Sequence, residues 1–204
     1  MGQSGDTARA MSQVRTKTLQ GVRLPPAREA RQHRTLDERI LVRFPALGPR
    51  LVAAWMRLPR PSRLRRAMLV RLVRQGYAAV NRRDFDLTVT SYDPGYEYHP
   101  DMGVADADPV YYGHDGFHKF WRQLLEAFDD VRLDPKEILD LGDQVLVTTQ
   151  MSGHGTGSGV SINQQLFQLM TLRRGVIVRQ VDFLNRAQAL EAVRLSEQDA
   201  HADS

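Results

Sequence analysis

The sequence predicts an α+β domain built on a mainly antiparallel sheet, and three observations carry this. The stretch Gly159–Leu184, GVSINQQLFQLMTLRRGVIVRQVDFL, reads as two strands rich in Val, Ile, Leu, Phe and Thr, joined at Arg173-Arg174-Gly175. Helical periodicities gather before and between the strands in the order ααβ(β)αββββα, instead of alternating with every strand as a doubly wound sheet requires. The chain has 204 residues, 42% of them hydrophobic, enough for one domain plus an appendage.

Residues 1–35 are polar, basic and aperiodic, and are expected to be disordered. Residues 36–61 form an extension that Pro45, Pro49, Pro59 and Pro61 cut into short pieces. Pro49 suits the first turn of a helix reaching Leu58, with Leu51, Trp55 and Leu58 on one side. Such a segment is too short to fold alone, so it is expected to lie on the main domain or on a membrane surface.

The main domain is placed at 62–195. A helix runs from a Ser62 cap to about Arg82, with Leu64, Met68, Leu69, Leu72, Val73, Tyr77 and Val80 in its apolar stripe. A short helix, Asp84–Tyr92, stops at Asp93-Pro94-Gly95, and a strand follows at Tyr96–Pro100. After an acidic loop, Asp101–Pro109, Gly113–Gly116 opens a third helix through Phe128. Strands at Val131–Leu141 and Gln144–Ser152 flank a turn at Gly142-Asp143, and the glycine-rich link Gly153–Gly159 leads into the hairpin. A helix at Arg186–Leu195 closes the domain, leaving a polar tail at 196–204.

The charge is divided. Residues 1–83 hold 19 Lys and Arg against 4 Asp and Glu, whereas residues 84–204 hold 9 against 20. A basic arm on an acidic body can bind that body, nucleic acid or anionic lipid. Arginine outnumbers lysine 25 to 3, the bias of a GC-rich genome, so nucleic acid is not the expected partner. The absence of cysteine removes disulfides, a thiol nucleophile and zinc–thiolate sites. The start, MGQSGDTARA, has no apolar signal core, and no apolar run is long enough to span a bilayer, so the expected compartment is the cytoplasm.

With a three-residue loop in the hairpin, Leu172 opposes Val176, Met170 opposes Val178, Gln168 opposes Gln180, and Leu166 opposes Asp182, all on one face. Phe167, Leu169, Ile177, Val181 and Phe183 fall on the other. Both faces are apolar, so both are expected to be covered. The first holds two glutamines and a carboxylate, which suits a semi-polar cavity, and the second suits a partner.

The runs NRRDFDLTVTSYDPGYEYHPD, YYGHDGFHKFWRQLLEAFDDVRLDPKEILDLGD and GSGVSINQQLFQLMTLRRGVIVRQVDFLNRAQALEAV resemble the SnoaL-like family of the nuclear transport factor 2-like superfamily, over about Leu72–Leu195. The resemblance implies a cone: a curved, mixed, mainly antiparallel sheet wrapped around three helices, with a hydrophobic pocket at its open end. It also implies a homodimer through the outer sheet face. The superfamily spans polyketide cyclases, ketosteroid isomerase, dehydratases, epoxide hydrolases and non-enzymatic binders, so fold alone does not select a function.

Ketosteroid isomerase sets an Asp base opposite a Tyr and a protonated Asp. Ungapped comparison puts His99 at the base position and Gln168 at the protonated Asp, with Tyr77 one residue out of step with the tyrosine. Steroid isomerisation is therefore disfavoured. What remains is a His99, Gln168 and Asp182 set, with His99 as general base or acid and Glu97 or Asp182 orienting it. Gln168 and Tyr77 would donate to a carbonyl or enolate, as a cyclase, isomerase or dehydratase requires. Trp121, Leu166, Met170 and Gln180 are expected to line the pocket.

The alternatives are a strand-end histidine and a buried polar network around Gln168 and Asp182. His114 and His118 have a metal-compatible spacing but no third ligand, so neither metal nor cofactor is expected. The expected ligand is a small apolar or carbonyl-bearing molecule. Two alternatives stay open: a non-catalytic binding or dimeric assembly module, and peripheral membrane contact through residues 36–83.

Overall fold

The computed structural model describes residues 21–25, 33–101 and 108–202, with side chains as far as Leu195. Seven strands form one curved, open sheet: β1 (Val22–Arg23), β2 (Tyr92–His99), β3 (Tyr111–Tyr112), β4 (Phe128–Asp140), β5 (Gln144–Gly155), β6 (Ser161–Arg173) and β7 (Val176–Phe183). Their order is β1-β4-β5-β6-β7-β2-β3. Every neighbouring pair is antiparallel except β2–β7, which is parallel.

Within the stretch expected to be disordered, Val22–Arg23 pairs with Ile138 and Glu137 at the sheet edge. The rest of that expectation, at 1–20 and 26–32, lies outside the described residues, as does 102–107 of the acidic loop.

Alternation sorts the long strands into two cores. On the concave side, Val145, Val147 and Met151 of β5 join Leu133, Ile138 and Leu166 in a buried cluster. Over it lie the helices α3 (Arg63–Asn81), α4 (Phe85–Val89) and α5 (Gly113–Ala127). Ser62 caps α3, its hydroxyl accepting from the Arg65 amide. The stripe of α5 buries Phe117, Phe120, Trp121 and Leu124. On the convex side, Leu139, Leu146, Phe167 and Leu169 meet Ala189 and Val193 of α6 (Arg186–Ala202). Part of the face expected to meet a partner is thus covered by the chain's own last helix, which runs beyond the predicted Leu195 end.

The hairpin differs from its predicted pairing. Its loop is two residues, Arg174 and Gly175, both left-handed at φ 51° and 82°. That geometry matches strand twist and is the commonest hairpin closure. Arg173 pairs with Val176 and Leu172 with Ile177; an irregularity follows, after which Met170 pairs with Gln180 and Gln168 with Asp182. The predicted partners are therefore two residues out along the body of the hairpin. An even slip preserves the face, so Gln168, Met170, Gln180 and Asp182 still share one side. The bulge brings Ile177 to that side, where Val176 and Val178 had been expected. The glycine-rich link is strand as far as Gly155, where β5 ends, and a short turn follows, closed by the Gly155 amide donating to the Val160 carbonyl at 2.8 Å.

Residues 36–61 fold as α1 (Leu36–Arg43) and α2 (Leu47–Met56) and close the open end of the cone. A capping box starts α1, with Thr35 and Glu38 as its partners. Glu38 then pairs with Arg82 at 3.0 Å, and Arg34 pairs with Asp84. The hairpin tip meets α2 so closely that a Cβ on Gly175 would stand 1.9 Å from the Pro49 carbonyl oxygen. Only glycine fits there, for space as well as for φ. Beneath α2, the buried Arg65 grips Asp140 through two bonds of 2.7 Å. It also donates to the carbonyls of Met56, Leu58 and Gly142, binding the α2–α3 connection to the β4–β5 turn.

Candidate functional site

The cavity inside the cone has a volume of about 180 Å³. Phe117, Phe120 and Trp121 of α5 form one wall, and Leu69, Val73 and Tyr77 of α3 form another. The sheet contributes Gln168, Met170 and Leu172 from β6, Ile177 and Gln180 from β7, and Tyr92, Tyr96 and Tyr98 from β2. Leu41, Gly48 and Val52 of α1 and α2 line it from the cap.

One wall is polar, and its groups are chained together. Thr149 donates to the Tyr77 hydroxyl at 3.0 Å, and Tyr77 donates to Gln168 Oε1 at 2.6 Å. The Gln168 amide donates to Asp182 at 3.2 Å, where Tyr98 donates at 2.8 Å and Gln180 at 2.9 Å. Tyr96 closes the second branch by donating to Gln180 Oε1 at 3.2 Å. Asp182 is only 1% exposed and lies behind the lining. Burial pushes its carboxyl up to about 6, and the donors from Gln180, Tyr98 and Gln168 pull the other way. Burial likewise raises the hydroxyl pKa of Tyr77, Tyr92, Tyr96 and Tyr98, keeping them neutral donors at physiological pH. Tyr92 differs from the other three: among the described residues its hydroxyl has no hydrogen-bond partner.

The structure places Tyr77, Gln168, Gln180, Met170 and Trp121 around one cavity, with Asp182 behind its lining. It does not place His99 or Glu97 there. On β2, Tyr96 and Tyr98 are buried toward the cavity, so Glu97 and His99 point to the opposite face. There they pair with each other, and Arg179 flanks both. The hydrogen bond with His99 holds the Glu97 carboxyl below its usual range, with Arg179 adding to the effect. The proposed base is thus across the sheet from the cavity, the result of a one-residue register difference. Leu166 is fully buried in the core behind the lining. His114 meets the Tyr92 carbonyl at 3.2 Å, and His118 packs edge-on against Phe85 and Phe117.

Sequence reasoning missed Tyr92, Tyr96, Tyr98 and Thr149. The signal for the β2 tyrosines was present: in Tyr96-Glu97-Tyr98-His99, period-two alternation already separates aromatic from charged side chains. Nothing local marks Thr149, whose partner Tyr77 is 72 positions away.

A curved open sheet, helices on its concave side and a cavity between them define a nuclear transport factor 2-like protein. The SnoaL-like domain family matches residues 73–180, and the chain belongs to that family. Among solved structures it is similar to TerC co-crystallised with polyporic acid, at 23% identity over 61% of this chain and 97% of that one, with a TM-score of 0.51. An NTF2-like protein of unknown function from Burkholderia pseudomallei K96243 is 25% identical over 60% and 92% of the two chains, with a TM-score of 0.51. An NTF2-like protein from Burkholderia thailandensis E264 is also 25% identical, over 59% and 95%, with the same TM-score. No curated protein matches the chain. The family match begins at Val73, so α1 and α2 lie outside it.

Proposed function

We propose that this domain binds a small, largely apolar molecule bearing a hydroxyl or carbonyl. The observation that carries the reading is the Tyr92 hydroxyl, without a hydrogen-bond partner among the described residues, in a mainly apolar space where Tyr77, Tyr96, Tyr98, Gln168 and Gln180 are bonded to one another or to Asp182. A donor held in such surroundings loses hydrogen-bond energy until an acceptor enters. The volume sets the scale: an apolar cavity of roughly 150 Å³ accommodates benzene, so the ligand is one substituted ring or a compact bicycle. Thermal melting with a panel of single-ring phenols and ketones, beside hydrocarbons of matched size, tests this. The oxygenated compounds should stabilise more, and Tyr92→Phe should erase the difference. Equal stabilisation by both classes in the wild type would remove the reading.

A catalytic extension has one observation of its own. Tyr98 lines the cavity and its hydroxyl is held by Asp182, whose carboxyl titrates near 6. Such a pair suits proton transfer beside a carbonyl, as in cyclisation, isomerisation or dehydration. Turnover of an identified ligand should then fall at least a hundredfold in Tyr98→Phe, while ligand binding persists. Unchanged turnover in that variant would leave the domain a binder.

A further inference from the structure

We infer that the outer face of the α1–α2 cap seats on an anionic lipid surface, and that the cavity beneath it is filled from there. The second half rests on the ligand-binding reading above; the first half does not. From Arg39 to Arg83 the sequence has twelve arginines and no acidic residue. Most of the large apolar side chains left in water fall in the same region: Leu36 (77% exposed), Ile40, Phe44 (54%), Leu47, Leu51 and Leu64 (57%). Leu36, Ile40 and Phe44 recur every four residues along α1 and its C-terminus, as do Leu47 and Leu51 on α2, so each helix presents a stripe away from the domain. Arg39, Arg43, Arg50, Arg57, Arg63 and Arg66 are exposed among these stripes. Among the described residues, none of the six lies in a salt bridge.

Apolar stripes rimmed by uncompensated arginines fit one kind of surface. Lipid acyl chains take the leucines and phenylalanine, and anionic headgroups take the guanidiniums. Nucleic acid would use the arginines and leave the apolar stripes wet. The chain's own first twenty residues carry Arg9, Arg15 and Lys17 against Asp6 alone, so they add to the positive charge instead of neutralising it. No helix among the described residues is long and apolar enough to cross a membrane, so contact of this kind is peripheral. The cap has a second face as well: Leu41, Gly48 and Val52 line the cavity directly beneath these stripes. An apolar ligand dissolved in the bilayer would thus pass from lipid to cavity across the thickness of one helix.

Flotation of the full chain with phosphatidylglycerol–phosphatidylcholine vesicles, against phosphatidylcholine alone, tests the docking. The wild type should float with the anionic vesicles only, and high salt should weaken the binding. Arg43→Gln with Arg50→Gln should reduce partitioning roughly thirtyfold, about fivefold for each arginine. Phe44→Ser with Leu51→Ser should abolish flotation and leave the melting temperature unchanged, because both side chains are exposed in the fold. Three results overturn the docking. The wild type fails to float at low salt; the Phe44→Ser, Leu51→Ser variant floats normally; or light scattering shows a wild-type dimer that this variant splits, which would assign the stripes to a second copy. Native mass spectrometry of the same preparations separates the two halves. A retained ligand without flotation keeps the cavity reading and removes the membrane. Flotation by a cavity that stays empty after incubation with ring-loaded vesicles removes the filling route.

Discussion

Replacing Arg65 by Met should cost this protein a large part of its stability. The Arg65 side chain is 5% exposed and that of Asp140 18%, so the pair is shielded from solvent. The change leaves Asp140 without its cation and takes away the donor that serves the Met56, Leu58 and Gly142 carbonyls. Removing one partner of a buried ion pair costs about 3–5 kcal/mol. Natural domains have only about 5–15 kcal/mol in total. In a domain of this size each kcal/mol moves the midpoint by roughly 2–4 °C, so melting should fall by about 6–20 °C. Urea denaturation should give the same loss, and trypsin should cut faster at Arg39, Arg43, Arg50 and Arg57, because Arg65 holds the connection that follows α2. Arg65→Lys should recover little, since an ammonium cannot reproduce the planar fork that spans a carboxylate and three carbonyls. A loss below about 1 kcal/mol would class the contact with exposed salt bridges and refute the reasoning.

Other predictions follow from neighbouring contacts. Gly175→Ala places a Cβ against the Pro49 carbonyl at a left-handed φ, so the cap should detach while the sheet stays folded. Hydrogen exchange would show this as fast exchange confined to α1 and α2, and uniform protection would contradict it. Tyr77→Phe strips an acceptor from Thr149 and a donor from Gln168, and should lower stability by about 1–3 kcal/mol in urea titrations. For Asp182, the folded carboxyl is raised from 3.8 to about 6, so the native state holds its proton more tightly than the unfolded chain. Its contribution to stability is then fully present below about pH 4, is lost between pH 4 and 6, and stays lost above, a change of about 3 kcal/mol across that window. Asp182→Asn should flatten this segment of the stability–pH curve, and an unaltered slope would place the titration elsewhere.

The fold was legible where local chemistry and long-range packing agree. Ser62 announces α3, and of its predicted stripe Leu69, Leu72, Val73, Tyr77 and Val80 turn to the cavity, whereas Leu64 in the first turn is left exposed. The hairpin is plain from composition, but its register depends on Arg174 taking a conformation that most L-residues avoid. The same parity that rescued Gln168 and Asp182 from a two-residue error sent His99 to the wrong side after a one-residue error. Arg65 was invisible for a different reason: among twelve arginines in one stretch, nothing local tells the buried one from the solvated ones. Its identity is set by Asp140, far along the chain.

That distance shapes how the protein comes into being. The carbonyls and carboxylate gripped from Arg60 and Arg65, on the β4–β5 turn, follow those arginines by 75 to 81 residues. At ribosomal speed they emerge about 4–16 seconds later. For that interval the leucines and arginines of α1, α2 and early α3 have no sheet to rest on, and the concave core does not yet exist. The cap is thus made well before the strands that lock it. Its apolar and basic side chains meet the surroundings of the ribosome before they meet their own domain.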